Sequence, residues 1–220
     1  YDNATASATI AVTAKAIELT ADSDSWTYDG SAHTLHTYTL TSGSFVGSED
    51  IASATFDTAS TITNVGSVAN TITGVTAKAG TDANDYAFTY KPGTLTVTNA
   101  TLTGVTLTGG SWTYSGTAHS ATLTGTHTGD TVVYRTSTDD GENWSGWGSA
   151  VPSVTHVSDG TLTVEVKVSR ANYDDATASA TIAVTAKAIE LTADSGSWTY
   201  DGSAHTLHTY TITSGSFIGS

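Results

Sequence analysis

Along much of this chain, apolar and polar residues alternate one for one. Thr161-Leu162-Thr163-Val164-Glu165-Val166-Lys167-Val168 puts Leu162, Val164, Val166 and Val168 on one face. Glu165 and Lys167 fall on the other face and are expected to be solvated. Residues 94–98, 101–107 and 178–185 repeat the pattern with Leu, Val, Ile and Thr. A period of two with β-branched residues predicts half-buried strands. No segment keeps a 3.6-residue apolar period long enough to predict a helix. Asp29-Gly30, Ser115-Gly116, Thr128-Gly129-Asp130 and Asp140-Gly141 interrupt the strands as turn signals. Many short strands with regular turns predict an all-β chain built as a β-sandwich or a small barrel.

The strands belong to a repeat. Residues 1–48 recur at 173–220, an offset of 172, with four differences: Asn3/Asp175, Asp24/Gly196, Leu40/Ile212 and Val46/Ile218. A weaker repeat lies inside it. Ser25-Trp26-Thr27-Tyr28-Asp29-Gly30-Ser31-Ala32-His33 matches residues 111–119, half the period later, and returns at 197–205. Two related modules therefore alternate. Residues 1–13 read as the C-terminal strands of a B-type module, and 14–98 as an A-type module. Residues 99–185 read as a B-type module and 186–220 as the opening part of a second A. The start, with neither Met nor a signal-like run, is expected to lie within a longer chain.

Composition narrows the chemistry. Thr and Ser number 46 and 26 among 220 residues, whereas charged residues make up only 13%. With 5 Trp, 10 Tyr and 4 Phe, the chain has the aromatic content that disordered chains lack. The net charge of -14, with seven Lys and Arg in all, argues against nucleic acid as a partner. No apolar run approaches a membrane span. The absence of Cys excludes disulfides, thiolate metal sites and a thiol nucleophile. An acidic, Thr-rich, sulfur-free and β-prone chain reads as extracellular.

Trp26-Thr27-Tyr28-Asp29-Gly30, then Ala32-His33-Thr34, then residues 90–97 resemble the tandem "YDG" (MBG-type) repeats of bacterial surface proteins. The B module is similar to the Ig-like repeats found beside them, through Tyr114-Ser115-Gly116, residues 129–134, Asp139-Asp140-Gly141 and residues 163–168. The resemblance implies tandem small antiparallel β-sandwich (Ig-like) modules in a linear array. It also implies a secreted, wall-associated or filamentous adhesin-like protein at the cell surface.

The recurring Trp26, Trp112 and Trp198 are expected as core anchors, with a sugar-stacking platform as the other reading. His33, His119 and His205 are expected to bond turn backbone. His36 and His208 complete a His-x-x-His spacing, but positions i and i+3 of a strand face opposite ways, which disfavours a shared metal. Ser137-x-Asp139-x-Gly141-x-x-Trp144 fits the Asp-box hairpin, in which the Asp caps turn amides and the Trp packs beneath. With Asp140, Glu142 and Trp147 it forms the most varied loop, and Asp139, Asp140, Glu142, Trp144 and Trp147 are the candidate glycan contacts. Asp22-Ser23-Asp24 has oxygens for Ca2+, but the second copy carries Gly196. A Lys–Asn or Lys–Asp isopeptide stays open for Lys15, Lys91, Lys167 and Lys187. Asn3, Asn99 and Asn143 begin glycosylation sequons. Nothing resembles a catalytic constellation, so no enzyme, cofactor or metal is expected. The expected role is a stiff stalk or filament of stacked modules, whose partners are neighbouring modules or identical chains. The competing role is glycan binding through the Trp144/Trp147 loop.

Overall fold

The computed structural model describes residues 1–219 and is all-β. Helix is confined to two single turns of 3-10 type, at Ala83–Asp85 and Val157–Asp159. The chain divides into two compact units, Tyr1–Ala100 and Thr101 onward.

The first unit holds β1 (Lys15–Ala21), β2 (Asp24–Thr27), β3 (Tyr38–Ser42), β4 (Ile51–Phe56), β5 (Gly66–Asn70), β6 (Ile72–Ala77), β7 (Tyr86–Lys91) and β8 (Gly93–Thr98). One sheet is ordered β3-β1-β7, another β2-β8-β5, and β4 pairs with β6. Two long strands each change sheet midway. Asp22-Ser23 separates β1 from β2, and Pro92, with no amide to donate, separates β7 from β8. The two chain breaks meet. A Cβ on Gly93 would lie 2.4 Å from the carbonyl oxygens of both Ala21 and Asp22, so the crossing has room only for glycine. Two apolar cores result. Ile17, Leu19, Ala21, Ile51, Ile72 and Tyr86 form one, and Ile62, Leu95 and Val97 the other, flanked by Trp26, Tyr28, Leu35 and Val68.

After β9 (Ala100–Thr101), the second unit holds β10 (Thr106–Thr108), β11 (Gly110–Thr113), β12 (His119–Ser120), β13 (Thr122–Thr124), β14 (Thr131–Ser137), β15 (Ser153–Val154), β16 (Leu162–Ser169), β17 (Tyr173–Asp174) and β18 (Ala176–Thr185). The main sheet is β11-β18-β16-β14, with β10-β13 and β12-β15 as small pairs. Val164, Val166 and Val168 of β16 are buried on the face that the alternation predicts, together with Leu107, Tyr134, Val154, Ile182 and Val184. Each fully buried aliphatic side chain of this kind contributes about 1.5–3 kcal/mol.

Two expectations need correction. Residues 101–107 are not one strand, because Gly104 adopts φ +81 and breaks the run between β9 and β10. The turn is tightly packed, since a Cβ on Gly125 would fall 2.0 Å from the Gly104 carbonyl oxygen. The outer face of β16 is not bare either. Glu165 pairs with Arg135, and Lys167 with Asp175 at 3.6 Å.

Beyond β18, β19 (Glu190–Ala193) and β20 (Tyr210–Ser214) form an antiparallel hairpin. Its register, Glu190 opposite Ser214 and Leu191 opposite Ile212, equals that of Glu18 with Ser42 and Leu19 with Leu40 in β1 and β3. Residues 1–13 form no strand and are exposed, although the same sequence but for Asn3/Asp175 makes β17 and β18 in the second unit.

Candidate functional site

The loop after β14 is built by hydrogen bonds to one buried hydroxyl. Ser137 Oγ donates to Asp139 Oδ1 at 2.5 Å and accepts the amides of Asp139 and Gly141 at 3.3 and 2.9 Å. Asp139 in turn accepts the Asn143 amide at 2.9 Å and its side-chain Nδ2 at 2.6 Å. The Ser137 hydroxyl, followed by these Asn143 donors, holds the Asp139 carboxyl down at about 2. Asp140 (φ +57) and Gly141 (φ +95) make the left-handed reversal. Trp144 lies against it, 3.2 Å from where a Gly141 Cβ would be. The chain then returns along β14. Ser145 donates its amide to the Thr136 carbonyl at 2.8 Å, and Tyr134 and Gly148 exchange backbone bonds of 2.7 and 2.8 Å.

This return brings Trp144 and Trp147 onto the outer face of the main sheet. The Arg135 guanidinium lies 4.6 Å from each of the two indole centroids, and its Nε donates to Glu165. Lys167 Nζ lies 5.2 Å from the Trp147 ring. Such contacts are worth roughly 0.5–1 kcal/mol each at exposed sites. Of the five candidate contacts, Asp139 is spent on the turn and Trp144 is partly buried against Gly141 and Arg135. Asp140, Glu142 and Trp147 are exposed, Trp147 to 40%. Arg135 is the residue that the sequence reading missed. It sits opposite Glu165 in the β14–β16 register, so only strand pairing reveals the contact. Arg170 was missed for the same reason. It grips Asp130 with two bonds, 2.6 and 3.0 Å, and this fork is the main cause of an Asp130 carboxyl lowered to about 2.

The recurring Trp motif is a stacked pair. Trp26 lies on His33 at 4.8 Å, Trp112 on His119 at 4.8 Å and Trp198 on His205 at 5.2 Å, with ring planes within 11° of parallel. The His partner is a turn side chain rather than turn backbone. His Nε2 meets Asp29 Oδ1 at 3.0 Å, Ser115 Oγ at 3.2 Å and Asp201 Oδ1 at 2.9 Å. Asp29 and Asp201 also accept the amides of Ser31 and Ser203, which lowers both carboxyls. His36 stacks on Phe56 at 5.1 Å, away from this arrangement.

The Asp22-Ser23-Asp24 oxygens have structural partners. Asp22 Oδ1 accepts Thr39 Oγ1 at 2.9 Å, Ser23 Oγ accepts the Thr94 amide at 2.9 Å and Asp24 Oδ1 accepts the Ser25 amide at 2.8 Å. Asn70, wholly buried, clamps the same crossing by donating to the Asp22 and Leu35 carbonyls, each at 2.9 Å. Lys15 reaches Ser44 at 2.9 Å, Lys187 reaches Ser216 at 3.3 Å, and Lys91 pairs with Glu18 at 2.9 Å. Among the described residues no group of three or more His, Asp or Glu converges as a metal site, and no helix is long and apolar enough to cross a membrane. No protein-family model matches the chain, and no curated protein is similar to it.

Proposed function

We propose that this chain is a load-bearing structural segment, non-catalytic and extracellular, of a stalk or filament made of alternating Ig-like β-sandwich modules. One observation carries the reading. In each of residues 14–98 and 99–185 a strand near the start pairs in parallel with the last strand. β1 and β2 run beside β7 and β8, from Lys15 opposite Tyr86 to Thr27 opposite Thr98, and β11 runs beside β18, from Gly110 opposite Ile182 to Thr113 opposite Thr185. Tension applied at the two chain ends pulls such partners in opposite directions along their length. The evenly spaced ladder bonds of a parallel pair are then sheared together rather than broken one after another. The connections add no slack. One residue separates β8 from β9, and four separate β18 from β19, with no glycine in either gap.

Glycan contact at Trp144 and Trp147 is the weaker reading, because Arg135 and Lys167 already lie against those rings. Pulling single molecules by their ends tests the proposal. Residues 14–98 should open in one event releasing about 290 Å of contour. Gradual extension without a discrete event would overturn the load-bearing reading. Saturable binding on a glycan array, lost in Trp147→Ala, would replace it with the adhesin reading.

A further inference from the structure

The loop after β3 occurs twice in the chain, and each copy has a different neighbour. Residues 43–49 of the first copy have the body of their own A module beside them. Phe45 packs edge-on to Tyr86 at 5.0 Å and near Phe88 at 6.4 Å. The Val46 amide donates to Tyr86 Oη at 2.9 Å, and Tyr86 Oη donates to Glu49. Val46 itself is 58% exposed, above a cleft of about 430 Å3 that Lys15, Glu49, Asp85 and Tyr86 also line.

Residues 215–219 of the second copy have instead a B module beside them. Here Phe217, the counterpart of Phe45, is exposed. Ile218, the counterpart of Val46, is less exposed, 42% against 58%, and its Cγ2 lies 2.8 Å from where a Gly116 Cβ would be. Tyr114, Val157, Lys187, Ile189 and Phe217 itself line the same groove, of about 220 Å3. Gly116 therefore leaves room that a side chain would take. At the A-type counterparts Gly30 and Gly202 no atom lies within 4 Å of such a Cβ.

We propose that this loop is a two-sided joint between modules: its Phe plugs the core of its own A module, and the next residue, Val46 or Ile218, docks on the Tyr114–Gly116–Val157 end of a B-type module. The exposed Val46 surface of the first unit is accordingly a docking face for a B-type end. Each copy displays the half of the joint whose neighbour is present. The pair Val46/Ile218, one of only four differences between the copies, keeps a β-branched aliphatic side chain at the seat. The joint deepens the structural-segment reading, because docking in place of a free linker is what makes successive modules move as one.

The chain has no Cys, so spin labels can be placed at will on the intact protein. Thr128→Cys in the B module and Thr206→Cys beside the second hairpin are both exposed. Electron–electron distance measurement between them should give one narrow distribution. Ile218→Asp should broaden it, whereas Ile218→Val and, as an internal control, Val46→Asp should leave it narrow. A broad distribution in the otherwise unmutated chain, or a narrow one that survives Ile218→Asp, overturns the joint. A narrow, Ile218-dependent distribution in a chain that fails the pulling test would keep the joint and remove the load-bearing role.

Discussion

Asp130 and Asp139 are the two side chains whose environment most changes their chemistry. Arg170 holds the first in a fork, and Ser137 and Asn143 hold the second in a tight turn. Both carboxyls titrate near 2 in the folded chain against an ordinary 3.8. A depressed folded value means that the contribution to stability is complete above the unfolded value and disappears as pH falls toward the folded one. The expected result is a denaturant midpoint for the second unit that is flat above pH ~4 and drops between ~4 and ~2. Asp130→Asn should flatten that drop. A midpoint equally pH-dependent in the variant would show that Arg170 does not set it. The sequence marks both acids as turn residues, but neither Arg170 nor Arg135 can be matched to its partner without the register.

Strands in this protein are decided by alternation and by where glycine or proline allows a change of sheet. The β1/β2 and β7/β8 crossings illustrate this. Alternation predicts the buried Leu95 and Val97, yet nothing in it says that Gly93 passes within contact of the Ala21 and Asp22 carbonyls. Gly93→Ala should destabilise the first unit by about 1–3 kcal/mol, because the backbone on both sides would have to give. Gly74→Ala, in β6 with open space around its Cβ, should be near neutral. Urea melts of the two variants make the comparison, and equal effects would mean that the crossing is looser than described. The same reasoning explains the residues 101–107 run, where Gly104 turns the chain and the apolar residues on either side serve the core from two separate segments.

The whole molecule contains its own control, since identical sequences occur with and without their partners. Ile10 is 93% exposed and Ile182 is fully buried; Leu19 is fully buried and Leu191 is 51% exposed. Hydrogen exchange should separate the copies. Amides of β18, paired with β16, should exchange more than about 100-fold slower than those of residues 4–13, which carry the same sequence. Equal protection would show that residues 1–13 find a strand partner in solution.

The duplicated segments also divide what the sequence determines from what the tertiary structure decides. The Trp–His stack, the Asp–His contact and the hairpin register recur in the exposed second copy, because each involves residues joined by one short turn or one hairpin. These features are set by local geometry, although the sequence reading placed the His on turn backbone; the all-β class and the buried face of β16 are legible in the sequence because a period of two suffices to specify them. Burial is not legible in this way. Leu19 and Ile17 are core because β7 lies alongside them, and Ile182 is core because β11 and β16 do. The cover that Arg135 gives Glu165 and Trp147 gives Lys167 likewise joins residues 30 and 20 positions apart. Such pairings join segments far apart in sequence, and only the closing of the chain on itself can choose among them.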